Sequence, residues 1–292
     1  MKQTNAAEAS LSMQTFARLR TLIREHTGLD FPDEKLYLLE SRVKPRLLSQ
    51  GVPDFETYVD RLEQGDTSEL TNLVNAVTIN ETAFFRHPSQ FEALEDTILP
   101  ELVRLHQQEQ AGPMRLWSAA CSAGDEAYSL AILIRETIEP RHPHMEYEIV
   151  GTDIDTAVLE EARAGHYRKR AVRNVPPAYL RDYFDRSGEA FVVDPAIRDM
   201  VEFRPLNLTD AQDMRRMRNF DLIMCANVLI YFNETSKKNV LRWLYRSLRP
   251  GGYLFVGGSE ALGGLDVPLE PVRHEGALAY RRPTNGSVSS RA

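Results

Sequence analysis

The sequence predicts an α/β protein: a doubly wound, mostly parallel sheet preceded by an all-helical region and interrupted by a small β-insertion. Three observations carry that expectation. Residues 11 to about 108 show apolar positions at helical spacing and almost no strand signal. From Met114 onward, short β-rich runs alternate with helical patterns, and strand–helix alternation implies a parallel sheet with right-handed crossovers. The stretch WSAACSAGDEAYSLAI, Trp117 to Ile132, then reads as a strand that stops at a glycine and restarts as a helix with two acids at its mouth.

In the helical region, Phe16, Leu19, Leu22 and Ile23 repeat until Gly28 ends the run. Leu36, Leu39, Val43, Leu47 and Leu48 follow, stopped by Gly51, then Phe55 to Leu62 and Leu70 to Val77. Turns containing Pro32, Pro53 and Gly65 separate them. Arg42, Lys44 and Arg46 share the second helix, and a solvated basic face is the plainer reading of them.

Strands are expected at Arg115–Cys121, Tyr147–Thr152, Val201–Pro205, Phe220–Ala226 and Tyr253–Val256, with Ala277–Tyr280 closing the sheet as an antiparallel end strand. Helices are expected at Ala127–Ile138, Thr156–Ala164 and Ser236–Leu248. Between Tyr167 and Met200 the rhythm breaks, with Pro176-Pro177, a helical piece near Tyr179–Phe184 and a Phe191–Val193 strand, so an inserted β-subdomain is expected at about 167–200. The domains are then 1–90, helical, and 91–284, built on the sheet; the polar tail 285–292 reads as disordered.

Composition narrows the function. A formal charge of −7 argues against a broad grip on nucleic-acid phosphates. Only two cysteines, Cys121 and Cys225, are present, so no disulfide framework is implied. The N-terminus has no apolar signal region and no run is long enough to span a bilayer, which makes the cytoplasm the simplest location.

In a doubly wound sheet, ligands sit outside the carboxyl ends of the strands. The turn after the first strand has one glycine, Gly124, which lets the backbone turn sharply and a ligand come close. It lacks the further glycines of a dinucleotide turn and the Gly-Lys-Ser/Thr phosphate cradle. Asp125 and Glu126 would repel a pyrophosphate but suit a cation, and Asp153, in GTDID after the second strand, stands where ribose hydroxyls are held. A nucleoside with a cationic amino-acid arm and no phosphate is S-adenosylmethionine (SAM).

With the Phe220–Phe232 strand and turn and the Leu248-Arg-Pro-Gly-Gly stop, this arrangement resembles class I SAM-dependent methyltransferases. That fold implies a Rossmann-like sheet in the order 3-2-1-4-5-7-6, with Cys121 and Cys225 near each other on neighbouring strands. NETAFFR (Asn80 to Arg86), WSAACSAGDEAYS, GTDID and NVLIYF (Asn227 to Phe232), in that order, further resemble the CheR family of chemotaxis-receptor glutamate methyltransferases. The resemblance runs from about Phe16 to Tyr280. Ala123, Asp125 and Ala127 stand where members usually have Thr, Glu and Pro, and Ala226 stands where they have Arg.

The resemblance implies the following roles. Asn80, Thr82 and Arg86 reach over the cofactor from the interdomain segment. Glu126 holds the methionine amino group, Asp153 the ribose, and Asn207 and Leu208 the adenine. Asn227 and Val228 line the turn under the methionine arm, and Arg86 and Tyr231 stand at the transferring methyl. No metal is implied. The product is S-adenosylhomocysteine and the acceptor a glutamate on the cytoplasmic domain of a transmembrane chemoreceptor, met by the Arg42, Lys44 and Arg46 face of a monomeric enzyme. Some members also bind a tethering peptide at the receptor's C-terminus through the β-subdomain. The turn around Arg186–Ala190 looks short for that, so receptors without a tether are expected. Two other readings stay open: a SAM methyltransferase acting on another nucleophile, and a SAM-binding signalling adaptor without turnover.

Overall fold

The computed structural model describes residues 9–109, 112–260, 262 and 267–284. The tail expected to be disordered, 285–292, lies outside the described residues.

The helical domain comprises α1 (Met13–Thr27), α2 (Leu36–Gln50), α3 (Phe55–Glu63) and α4 (Thr67–Val77). Their limits follow local chemistry. Ser12, Asp54 and Asp66 accept backbone N–H bonds as N-caps, and Gly28 and Gly51 end α1 and α2 in the left-handed conformation. The apolar faces close on one core containing Phe16, Leu19, Leu39, Val43, Leu47, Phe55, Tyr58 and Leu73. Phe84 and Phe85, on the N-terminal side of the boundary expected at residue 90, are already packed in the core of the sheet.

The strands are β1 (Met114–Ala119), β2 (Tyr147–Asp153), β3 (His166–Arg168), β4 (Phe184–Ser187), β5 (Ala190–Val193), β6 (Val201–Pro205), β7 (Phe220–Cys225), β8 (Leu248–Val256), β9 (Glu270–His274) and β10 (Ala277–Arg281). Seven form one sheet in the order β6-β2-β1-β7-β8-β10-β9. Counting only these seven along the chain gives 3-2-1-4-5-7-6, as expected. The first five run parallel, and β10 is antiparallel to both β8 and β9. The inserted sheet is antiparallel, in the order β3-β5-β4. Of it the sequence signalled only β5; β3 and β4 are short and largely exposed, and so carry no apolar run.

Side chains alternate across the main sheet. Leu116, Ile149, Leu222 and Phe255 face a cluster with α7 (Asp125–Thr137) and α8 (Thr156–Ala164), whereas Trp117, Val150, Ile223 and Leu254 face one with the last long helix, Glu234–Ser247. Cys121 belongs to the first cluster and Cys225 to the second. The thiols are both buried and free. At α7 the glycine is needed for packing. Gly124 has φ +86°, and a Cβ there would meet Phe203 at 2.8 Å and Ala162 at 3.0 Å. The atoms that approach here belong to the core, and Gly124 is not among the residues lining the cleft.

At the amino ends of the strands, a buried polar cluster joins helix to sheet. Asp221 Oδ2 accepts the Arg115 backbone N–H at 2.8 Å, and Oδ1 lies 2.7 Å from His106 Nε2 and 3.1 Å from Arg249 Nη1. Asp221→Ala would strand the Arg115 N–H and take the buried carboxylate away from His106 and Arg249, although Arg249 keeps its ion pair with Glu109. It should cost about 3–5 kcal/mol, read as a lower urea midpoint with cofactor affinity per folded molecule unchanged. An unaltered midpoint contradicts this account.

Candidate active site

The carboxyl ends of β1, β2, β6 and β7 open into a cleft with a cavity volume of about 120 Å³. One wall comes from the helical domain. The Thr27–Phe31 loop and the Val77–His87 segment both line the cleft. The loop is pinned across it. Asp30 donates its backbone N–H to the Tyr231 carbonyl at 2.9 Å, Leu29 bridges to Phe232, and Asn207 Nδ2 donates to the His26 carbonyl at 2.6 Å. Gly28 is required here because a Cβ would lie 2.5 Å from the Thr209 methyl.

Asn80, Thr82, Arg86, Glu126, Asp153, Asn207, Leu208, Asn227, Val228 and Tyr231 all line this one cleft. Several are held by bonds the sequence does not disclose. Ser118 donates its hydroxyl to Glu126 Oε1 at 2.7 Å. Asp153 accepts two backbone N–H bonds, from Ser122 at 2.8 Å and Asp155 at 2.9 Å. Asn80 donates to Asp155 Oδ2 at 2.7 Å, and Thr78 donates to the same oxygen at 2.8 Å, which fastens the interdomain segment to the second turn. The Asn207 side chain is taken up by His26 and Thr209, and its backbone N–H and carbonyl are bonded to Asp213 and Asp210. Arg86 donates Nη1 to the Glu81 carbonyl at 2.5 Å.

The basic residues of α2 fare differently. Arg46 forms a fork on Glu69, at 2.9 and 2.6 Å, and Tyr58 and Gln50 bond the same carboxylate. Arg42 donates to the Val77 and Thr78 carbonyls at the end of α4. Both hold the helical domain together; Lys44, partly exposed, has no hydrogen bond or ion pair among the described residues.

Two contributors have no sequence signature. Glu260, after β8, is buried and accepts three backbone N–H bonds, from Asn227 and Gly257 at 2.7 Å and from Ile230 at 3.1 Å. His87 receives the Asn227 Nδ2–H on Nε2 at 3.0 Å. Burial lowers the His87 pKa, helped by the neighbouring Arg86, which keeps that nitrogen an acceptor.

Backbone strain gathers at the same place. Among the described residues five non-glycine ones have positive φ, and of these Phe85, Ala120, Ser122 and Asn227 are in the cleft wall or next to it in the chain. Each such residue costs about 1–3 kcal/mol and persists where the surroundings over-determine it, commonly at functional sites.

The charge is equally uncompensated. Burial pushes Glu126 up to about 7 and Asp153 up to about 6. Asp125, one residue before Glu126, is buried behind the wall and does not line the cleft; burial pushes it to about 7, and neither carboxylate oxygen has a hydrogen bond. A cation with hydroxyls to donate fits this wall. S-adenosyl-L-methionine meets both requirements, through its ammonium and its ribose, and needs no phosphate cradle.

Two measurements test that fit. Asp153→Ala should weaken cofactor binding by roughly 10- to 100-fold, the loss of charge-assisted bonds worth about 1.5–3 kcal/mol; calorimetry giving wild-type affinity rejects the placement. Glu126 must be ionised to hold an ammonium, so affinity should fall about tenfold per pH unit below 7 and level off above it. Ligand-free stability runs the other way. A carboxyl raised from its ordinary 4.5 to about 7 stabilises fully at acid pH and loses that contribution as pH rises through 7. Cofactor binding should therefore raise the melting temperature more at pH 8 than at pH 6, and an equal gain removes Glu126 from the ammonium site.

Comparison with known proteins agrees with the geometry. Residues 14–78 match the CheR methyltransferase all-alpha domain, and residues 80–275 match the CheR methyltransferase SAM-binding domain. Chemotaxis protein methyltransferase 1 of Pseudomonas aeruginosa is 37% identical over 272 residues, 91% of this chain and 97% of that one. The chemotaxis protein methyltransferase of Escherichia coli K12 is 36% identical over 262 residues, 88% of this chain and 87% of that one. No described helix is long and apolar enough to cross a membrane. With both domains matched in order and relatives this similar along nearly the whole chain, the protein belongs to the CheR methyltransferase family and takes S-adenosyl-L-methionine as its cofactor.

Proposed function

We propose that the protein methylates glutamate side chains on the cytoplasmic domains of transmembrane chemoreceptors, forming glutamyl methyl esters in sensory adaptation. The observation that carries this reading is Arg86. It lines the cleft and commits one donor, Nη1, to the Glu81 carbonyl. The rest of its planar fork is available at the rim, and such a fork matches a carboxylate in two-point geometry. The named relatives are chemotaxis protein methyltransferases, and this reading gives their activity its acceptor group.

The cofactor supplies a methyl carbon made electrophilic by a cationic sulfur; the chain supplies position. A glutamate side chain in water titrates near about 4.3, so its carboxylate is ionised at neutral pH and needs no base to become a nucleophile. His87 accordingly has a holding task, spending Nε2 on Asn227. Glu126 and Asp153 fix the two ends of the ligand. Arg86 aims the carboxylate, and the partly buried Tyr231 closes the wall beside it, its own pKa raised by burial. The Thr27–Phe31 loop and Phe232 keep water out, so alignment and dehydration together do the catalytic work.

Labelled methyl transfer from the cofactor to receptor cytoplasmic fragments should give counts released by mild base, as an ester requires; base-stable counts point to another nucleophile, and none at all to an adaptor. Arg86→Ala should lower turnover at saturating cofactor by at least about 100-fold while cofactor affinity changes little, since misalignment alone costs that much. Arg86→Lys should rescue poorly, because a point charge cannot orient a planar group. Collapse of affinity with normal turnover would make Arg86 a cofactor ligand only. β4 and β5 join through a tight turn, Gly188-Glu189, with Gly188 at φ +62°. That turn leaves little for a tethering peptide to hold, so removal of a receptor's C-terminal peptide should leave its methylation unchanged. Abolished methylation overturns the inference from the turn.

A further inference from the structure

Between β3 and α9 (Pro177–Asp182) the chain makes a tight turn, Arg168-Lys-Arg-Ala-Val-Arg173. Its inner side is fixed. Val172 and Val175 are buried among Phe84, Tyr167 and Phe184, whose rings meet edge-on at 4.7 and 5.0 Å. The Ala171 carbonyl accepts the Phe84 N–H at 3.0 Å, two residues before Arg86. With the valines turned in, the four cations Arg168, Lys169, Arg170 and Arg173 are turned out, and all four are exposed.

This turn borders the mouth of the cleft. Arg170 Nη2 lies 2.5 Å from Glu81 Oε1, and Glu81 lines the cleft and holds Arg86 through its carbonyl. Arg173 bonds only the Arg170 carbonyl. Arg168 and Lys169 have no side-chain hydrogen bond or ion pair among the described residues. The contrast with α2 is direct, since Arg42 and Arg46 are spent inside the helical domain.

We propose that this basic turn is a docking surface for the acidic stretch of receptor that flanks the glutamate to be methylated. The proposal rests on the glutamate reading above and adds where the substrate lies. The argument is charge complementarity. The chain carries a formal charge of −7, and against that background a local cluster of four cations beside the cleft attracts an acidic segment. The Glu81–Arg170 pair is exposed on both sides, so it gives way readily to a substrate carboxylate. An acid of the receptor then occupies Arg170 while the target glutamate reaches Arg86, on the other side of Glu81 in the chain of contacts.

The test is the double charge reversal Arg168→Glu, Lys169→Glu in the full-length enzyme, with receptor cytoplasmic fragments as substrate. Neither side chain has an internal partner, so folding is checked simply by wild-type cofactor affinity. KM for the fragment should rise at least about tenfold at roughly 0.05 M salt, and the gap should narrow at about 0.5 M, where surface charges are screened. Turnover at saturating fragment should stay within about twofold of wild type, as expected for a residue that acts on encounter and not on chemistry. An unchanged KM overturns the proposal. So does a rise in KM on Lys44→Glu without one on the double reversal, which would move docking to α2. A wild-type enzyme that binds cofactor but yields no base-labile label overturns the glutamate reading itself, an outcome seen before any variant is made.

Discussion

The cleft depends on one carboxylate placed between two turns. Asp153 stands at the end of β2 and accepts N–H bonds from Ser122, in the turn after β1, and from Asp155, in its own turn. These bonds set the backbone on both sides of the cleft floor, and with it the positive φ of Ala120 and Ser122. Asp155 extends the tie. It caps α8 through Oδ1 and receives Thr78 and Asn80 on Oδ2. A chain of acids thus runs from the sheet to the segment that links the domains, and Arg86 takes its position from that segment.

A second carboxylate performs the same service on the far wall. Glu260 gathers the N–H groups of Asn227, Ile230 and Gly257, and so holds the left-handed turn after β7. Gly257 leaves room for it, since a Cβ there would sit 2.7 Å from Glu260 Oε2. The cleft is therefore built from buried acids, some satisfied by backbone and others not. Glu126 is raised to about 7 because burial deprives it of water by more than the Ser118 hydroxyl and the Arg86 charge repay. A cationic ligand relieves that tension, which is a physical reason for binding one.

The helical domain is part of this site in a mechanical sense. Its Thr27–Phe31 loop is bonded to Tyr231, Phe232 and, through His26, to Asn207. Whatever shifts α1 shifts the wall over the cofactor cleft. Contact between a protein substrate and the helical domain thus reaches the cleft wall through the Asp30–Tyr231 and Asn207–His26 hydrogen bonds and one packed glycine.

Much of this was legible in the sequence because it is local. Helical periodicity and the glycine stops set α1 and α2, strand–helix alternation set the parallel sheet, and Glu126 and Asp153 announced an electronegative cleft by standing at strand ends. The motifs Asn80 to Arg86 and Asn227 to Phe232 marked segments that the structure brings into one cleft. What escaped was decided between segments distant in sequence. Glu260 lies 33 residues from Asn227, and His87 lies 140 away. The α2 arginines read as a free face until Glu69 and the carbonyls at the end of α4 came within bonding distance. Gly124 read as room for a ligand, but its neighbour is Phe203 from β6. The two thiols read as near because their strands are neighbours, yet Cys121 lies past the end of β1, beyond the positive-φ Ala120, and packs in a different cluster from Cys225. A sequence specifies which groups are available and the period of each element; which partner takes up each hydrogen bond is settled only when packing brings distant backbone within about 3 Å.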